Sequence, residues 1–332
     1  MTIPVAILGA TGMVGQRFVS LLQGHPLFHV AELCASSRSA GRPYEEAGPW
    51  RLGGDNPLPH AVVLPCDPAL VRSPLVFSAL DAAAAREIEP AFAQAGRAVL
   101  TNASPFRMAE GVPLLIPEVN PDHAEWVRGR SGYIVANPNC THQAMTVALA
   151  PLHRRWGVEA VCVASYQAVS GAGYPGESAW DILGNVHPIA GDEEAKVASE
   201  PRKILDAPEL RISARCVRVP VADGHLVGLQ VRLASDPGVE AIEGALRTFR
   251  GPHVLHSSPV PLIHLLQGRD RPSPRLDAGR GAGMAISIGP VLPCEVMTVK
   301  FFALAHNAIR GAAGGAIANA ELLHARGLLP GA

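Results

Sequence analysis

The feature that most constrains this chain is a glycine turn placed directly after its first apolar run. Val5-Ala6-Ile7-Leu8 reads as a short buried strand and runs straight into Gly9-Ala10-Thr11-Gly12-Met13-Val14-Gly15. A helical stretch follows at 16–23, then a second apolar strand at about 29–35. Strand, glycine turn, helix, strand is the opening of a doubly wound α/β domain. Glycines in that place let backbone approach a pyrophosphate, and the helix N-terminus supplies N–H groups with partial positive charge. The spacing is GxxGxxG rather than GxGxxG, so a structural glycine turn is the alternative.

The pattern repeats downstream. Apolar strands are expected at 75–79, 97–101 and 133–136, with an alanine-rich helix at 82–95. Alternating strands and helices imply a parallel sheet. From Cys140 the character changes. A helix is expected at 141–156, then strands at 158–167, 212–221, 226–233, 284–288 and 295–304. Longer strands with fewer helices between them imply a mixed sheet in an α+β domain. The 332 residues suit about two domains on a prior of ~150 residues each. The expected division is 1–139 with 306–332, and 140–305. The stretch 171–201 is too long for a turn, and 269–283 reads as a flexible surface loop. Residues 309–326 read as a Gly/Ala-rich closing helix.

Composition narrows the partners. Lys and Arg number 28 against 29 Asp and Glu, for a net charge of −1, so no nucleic-acid footprint is expected. No apolar run reaches the ~18 residues of a membrane span, and no basic segment precedes the first strand as in a signal peptide. The six cysteines, Cys34, Cys66, Cys140, Cys162, Cys216 and Cys294, form no CxxC pair and no zinc spacing. A reduced, cytoplasmic protein without a metal is the expectation.

Two sites stand out chemically. A dinucleotide site for NAD places an acid after the second strand. This chain has Ser36-Ser37-Arg38-Ser39 there, which suits the 2′-phosphate of NADP, with a solvated polar loop as the alternative. Asn137-Pro138-Asn139-Cys140 stands between a strand and a helix, where the dipole and free N–H groups favour a thiolate. Cys140 is thus either a nucleophile or a buried filler. Filler is the reading for the other five. A nucleophile needs an acid/base partner. His225 follows the turn Val219-Pro220-Val221-Ala222-Asp223-Gly224, and Arg218 precedes it and could fork onto a carboxylate. Spacing alone leaves a structural His and a surface Arg as the default.

Ordered motifs carry a resemblance over almost the whole length. They are GATGMVGQRF at 9–18, FSAL at 77–80, TNASPFRM at 101–108, PLLIPEVNPDH at 113–123 and NPNC at 137–140. YQAVSGAGYPG at 166–176, DEEAK at 192–196, RVPVADGH at 218–225 and HNAIRGAAGG at 306–315 complete the set. The chain resembles the aspartate-semialdehyde dehydrogenases, in particular their archaeal and fungal branch. That resemblance implies a Rossmann-type NADP domain beside a catalytic and dimerisation domain, and a homodimer or homotetramer. It implies reduction of aspartyl-4-phosphate by NADPH through a thioester, within lysine, threonine and methionine biosynthesis.

The resemblance also implies roles. Cys140 is the nucleophile, His225 the acid/base, and Gln167 orients nucleophile and substrate. Arg218 grips the α-carboxylate, and Glu193, or its neighbour Glu194, faces the amino group. Lys196, Arg107, Asn102 and Asn139 serve the phosphate. Gly9, Thr11, Gly12, Met13, Val14, Gly15, Ser36, Arg38, Ser39, Ser78, Ala79, Gly171 and Asn307 are the implied cofactor residues. The 171–201 stretch becomes a binding segment.

One departure touches the nucleophile. The branch carries two small hydroxyl residues after it, whereas here Thr141 is followed by His142 and Gln143. Either these two point away from the pocket or they reshape it. Rival readings are a malonyl-CoA-type reductase on this scaffold, an N-acetyl-glutamyl-phosphate reductase, and a nucleotide-binding protein without catalysis. The second carries Gly-Cys-Tyr-Pro at its nucleophile, absent here. Retention of Cys140, Gln167, Arg218 and His225 together opposes the third.

Overall fold

The computed structural model describes residues 2–252 and 255–330. In it the first apolar run forms β1 (Ile3–Leu8). Five more strands join it: β2 (Phe28–Ala35), β3 (Val63–Pro65), β4 (Leu75–Ser78), β5 (Ala98–Thr101) and β6 (Tyr133–Ala136). They form one sheet in the order β3-β2-β1-β4-β5-β6, with every ladder parallel. The order reverses between β1 and β4, which in open α/β sheets marks the ligand crevice. β4, β5 and β6 are buried along their whole length. That is why they read as unbroken apolar runs rather than alternating ones.

The helix Ala82–Gln94 starts where Asp81 accepts hydrogen bonds from the amides of Ala83 and Ala84. The closing helix Gly314–Ala325 is buried from Gly314 to Leu323. Its small residues allow burial on all sides, and Asn319 Nδ2 donates to the Leu115 carbonyl.

The chain divides into two compact units. One comprises Met1–Leu115, Asp122–Asn137 and Ala312–Ala332, the other Ile116–Pro121 and Pro138–Gly311. Positions 1, 331 and 332, the limits of the expected first domain, lie outside the described residues. Three short segments fall on the other side of the expected division: Ile116–Pro121, 138–139 and 306–311 belong to the second unit. An ion pair ties the first of these to the last. Arg310 gives Glu118 two bonds of 2.7 Å, with both side chains at most 1% exposed. A charge pair removed from water in this way is strongly destabilised if either partner is pulled out.

The second unit holds seven strands: β7 (Val158–Gln167), β8 (His187–Pro188), β9 (Arg211–Arg218), β10 (His225–Leu233), β11 (Ile263–Leu265), β12 (Ile286–Pro293) and β13 (Val299–Ala305). Their order is β11-β12-β13-β10-β7-β9-β8. β7 pairs parallel with β9, whereas β10 is antiparallel to both β7 and β13, so the sheet is mixed as expected. The helix Cys140–Trp156 packs against β7, β10, β12 and β13. Tyr166, Leu292 and Phe302 stay exposed and line a cavity of about 770 Å³ with Phe301 and Lys300.

Two stretches read as loops are built otherwise. The second half of 171–201 runs into the helix Asp192–Ile204. Its polar sequence hid the helix, because only Val197, Glu200, Pro201 and Ile204 of it are buried. The 269–283 stretch contains the short helix Pro274–Asp277, and Arg271 and Arg280 both bond the buried Asp277 carboxylate. Burial alone would push that carboxyl up; the Arg271, Ser273 and Arg280 hydrogen bonds bring it well below its usual range.

Candidate active site

Cys140 is the first residue of its helix. Asn139 caps it, extended at φ −54° and ψ 143°, with Oδ1 accepting the Thr141 N–H at 2.9 Å. A thiolate at such a position meets the positive end of the dipole. Gly311 backs onto Cys140. A methyl group there would lie 2.7 Å from Cys140 Cβ.

The sheet supplies the partners. β7 and β9 run parallel in a register that puts Gln167 opposite Arg218, each the last residue of its strand. β10 is antiparallel to β7, so its first residue, His225, arrives at that same end. Three adjacent strands thus deliver His225, Gln167 and Arg218 to one edge, though 58 positions separate the first from the last along the chain.

His225 Nε2 lies 3.1 Å from Cys140 Sγ. Its Nδ1 accepts the Ala168 N–H at 3.0 Å. A backbone N–H can only donate, so Nδ1 carries no proton and the ring proton sits on Nε2, facing the sulfur. Burial, then the charges of Arg218 and His306, pull the imidazole down to about 3, so it is neutral at physiological pH.

Arg218 Nη1 donates to Gln167 Oε1 and to the Ala168 carbonyl, both at 3.2 Å, and Nε donates to Glu177 Oε1 at 3.0 Å. Gln167 Nε2 donates to Glu193 Oε1 at 3.1 Å, which also accepts Asn139 Nδ2 at 2.9 Å. Lys196 Nζ stands 3.6 Å from Glu193 Oε2. Burial raises the Glu193 carboxyl, but the Asn139 and Gln167 amides and the charges of Lys196 and His142 outweigh it and keep it ionised. Glu194 turns elsewhere, to Arg215 Nη1 and the Cys216 amide. Of the two acids, Glu193 is the one that joins Gln167 and Asn139.

Asn102 and Arg107 belong to the first unit and form a group there. Arg107 Nη2 donates to the Asn102 carbonyl at 2.7 Å, and Asn102 Oδ1 accepts Asn137 Nδ2 at 2.9 Å. Asn307 spends its amide inside the second unit. Oδ1 accepts the Gly224 N–H and Nδ2 donates to Ser170 Oγ, each at 2.8 Å. Gly171 sits over the cluster, where a Cβ would lie 2.8 Å from His225 Cε1 and 2.9 Å from Arg218 Nη1.

The glycine turn has the shape a dinucleotide pyrophosphate requires. Gly9 has φ +75° and a Cβ there would strike the Ala79 carbonyl at 2.7 Å. A Cβ on Gly15 would strike the Gly9 carbonyl at 2.2 Å. Gly12 caps the helix Met13–Leu21 with no side-chain hydrogen bond and no acid in its first turn, so Thr11, Met13 and Val14 flank open amides. Ser36 and Arg38 are exposed beyond β2, while Ser39 Oγ donates to the Ala47 carbonyl. The acid of β2, Glu32, binds Ser73 and the Arg72 amide and offers nothing to a ribose. These residues fit NADP. Ser78 is fully buried, so its hydroxyl faces inward; the Ala79 carbonyl lies against Gly9.

Sequence reading missed Glu177, Glu200 and Gly311. Glu177 and Glu200 sit in stretches with no motif of their own, and Gly311 was one small residue among several in HNAIRGAAGG. His142 and Gln143 are both buried. Gln143 Oε1 accepts Arg310 Nε at 3.0 Å, and His142 meets Glu200. Burial raises the thiols of Cys34, Cys66 and Cys216. Among the described residues no group of His, Cys, Asp and Glu could hold a metal ion, and no helix is long and apolar enough to cross a membrane.

Comparison with known proteins places the chain in a family. The family model "Semialdehyde dehydrogenase, NAD binding domain" matches residues 4–127, and "Semialdehyde dehydrogenase, dimerisation domain" matches 149–310. An aspartate-semialdehyde dehydrogenase of Archaeoglobus fulgidus is 43% identical, covering 97% of this chain and 98% of its own. That of Candida albicans is 38% identical, covering 97% and 98%. The crystal structure of a Candida albicans enzyme with NADP superposes with a TM-score of 0.91 at 36% identity, covering 99% and 100%. A Vibrio cholerae aspartate semialdehyde dehydrogenase II complexed with ASA gives 0.81 at 28% identity, covering 98% and 99%. On sequence and fold alike, the chain belongs to the aspartate-semialdehyde dehydrogenase family.

Proposed function

We propose that the chain reduces L-aspartyl-4-phosphate to L-aspartate 4-semialdehyde with NADPH, releasing phosphate, through a thioester on Cys140. The carrying observation is His225 Nε2 at 3.1 Å from Cys140 Sγ, set beside Arg218, Gln167 and Glu193. The neutral imidazole donates its Nε2–H to the sulfur and favours the thiolate, aided by the helix dipole. Sγ attacks the acyl carbon. A C–S bond forms, the acyl C–O bond breaks, and phosphate leaves with the electron pair. NADPH, bound on the Gly9–Gly15 turn with Arg38 at its 2′-phosphate, supplies the hydride. Cleavage of the C–S bond then frees the aldehyde and returns the thiolate. His225 Nε2–H remains aimed at the charge that develops there.

Arg218 receives the α-carboxylate and Glu193 the α-ammonium, with Gln167 tying them together. Lys196, Asn139, Arg107 and Asn102 serve the phosphate. Gly171 and Asn307 support the cofactor side through backbone and through the Ser170–Gly224 turn. The exposed sheet face with Tyr166, Leu292 and Phe302 is where two copies pair, which makes the enzyme a homodimer or a tetramer built from it. Six free thiols fit a reducing cytoplasm.

The test is the reverse reaction. Phosphate-dependent formation of NADPH from aspartate semialdehyde is expected. Absence of that turnover together with reduction of malonyl-CoA would overturn the substrate assignment.

A further inference from the structure

His142, the residue that departs from the small-hydroxyl pattern after the nucleophile, is 0% exposed. Its Nε2 lies 3.3 Å from Glu200 Oε2. Glu200 is 1% exposed, and that same oxygen accepts the Asn139 backbone N–H at 2.8 Å. Asn139 is the residue before Cys140 and the cap of its helix. Its side chain is also held, with Nδ2 on Glu193 Oε1 at 2.9 Å. Glu193 and Glu200 lie seven positions apart on the helix Asp192–Ile204, hence on one face. One helix face thus grips Asn139 by its backbone and by its side chain.

A carboxylate this far from water is costly unless donors compensate it. We infer that His142 is a positioning residue. It holds the Glu200 carboxylate against the Asn139 amide and so fixes the direction in which Cys140 Sγ is presented. His142 is the third residue of the helix that Cys140 begins and Glu200 is on the neighbouring one, so the contact also ties the two helices together. A small hydroxyl at position 142 would not span to Glu200. The inference rests on the reading of Cys140 as nucleophile, and it concerns how the thiol is aimed rather than which substrate it meets.

The experiment compares His142→Leu, which keeps bulk and removes the polar contact with Glu200, with His142→Gln, whose amide can restore it. Two readouts are taken: steady-state turnover in the reverse reaction, and the rate of Cys140 alkylation by iodoacetamide, followed on the Cys140 peptide by mass spectrometry. For His142→Leu, kcat is expected to fall about 10- to 100-fold, with KM for aspartate semialdehyde and NADP changed less than about twofold. Cys140 alkylation slows with it. His142→Gln should return both to within about threefold of wild type. In a Glu200→Gln background, His142→Leu should cost nothing further, because the two act as one unit.

Wild-type kcat and alkylation in His142→Leu would overturn the inference. So would a change in KM alone, equal losses in the Leu and Gln variants, or losses that multiply across the two sites. If His142→Leu does not fold, the Glu200→Gln single variant and its pair with His142→Gln carry the same comparison. Alkylation needs no substrate, so failure of the wild type to turn over would count against the proposed reaction and leave this result to stand by itself.

Discussion

His225 Nε2 faces Cys140 Sγ at 3.1 Å while its Nδ1 is tied to the Ala168 amide. The ring is thereby fixed in one tautomer, and burial among Arg218 and His306 lowers it to about 3 from an ordinary 6.5. The unfolded chain therefore takes up this proton before the folded one. Its effect on stability is nil above about pH 6.5, and stability falls as pH drops from there toward 3. In the pH profile of kcat/KM, no histidine ionisation between pH 6 and 7 should arise from His225. His225→Asn should lower kcat by about 10²- to 10⁴-fold without moving the acid limb. An acid limb near 6.5 that disappears in that variant would contradict the neutral ring.

Gly171 leaves no room for a side chain, since its Cβ would fall within 2.9 Å of both Arg218 Nη1 and His225 Nε2. Gly171→Ala is expected to displace one of them and cost about 10²-fold in kcat/KM, the scale of a 1 Å misplacement. Thermal unfolding should barely change, because position 171 is exposed. Unchanged kcat/KM with a lowered melting temperature would be the opposite result.

Glu177 occupies Arg218 Nε at 3.0 Å, with Glu177 a quarter exposed. In the proposed reaction the incoming α-carboxylate competes with it for the guanidinium. Glu177→Gln removes the charge and is expected to lower KM for the amino-acid substrate about three- to tenfold, with kcat nearly unchanged. A raised KM would mean that Glu177 aids binding instead.

The Arg310–Glu118 pair is buried on both sides and also holds Gln143 and Ser258. Arg310→Met strands the carboxylate, so unfolding in urea should show a loss of about 3–5 kcal/mol. Adding Glu118→Gln should recover most of it. Equal destabilisation in the single and double variants would show that Arg310 acts through packing alone.

Arg38 lies exposed beyond β2, and the acid of that strand, Glu32, is held by the Arg72 and Ser73 amides. Arg38→Ala should weaken NADP by about tenfold and leave NAD nearly unaffected, as a lost charge-assisted contact to one phosphate requires. Equal loss for both cofactors would remove Arg38 from the 2′-phosphate site.

How much of this was legible in the sequence depends on distance along the chain. The glycine turn, β1 and the helix after it are local, and steric rules for a pyrophosphate turn can be read from a few consecutive residues. The same holds for Cys140, placed by its neighbours at a helix start. The helix Asp192–Ile204 escaped because its polar face dominates the composition, and 269–283 looked flexible because the Asp277 contacts that order it are invisible to a loop's residue types.

The sequence by itself determined the alternation of strands and helices, the local setting of Cys140 and the family. Those rest on backbone preference and apolar periodicity, which act over a few residues. The tertiary structure alone decided that Gln167, Arg218 and His225 meet, since a mixed sheet aligns ends of strands that lie far apart in the chain. It also put Glu193, rather than Glu194, beside Gln167 and Asn139, and carried His142 and Gln143 into buried charge networks. Those outcomes depend on which groups lose their water together, and that is settled only when the elements pack.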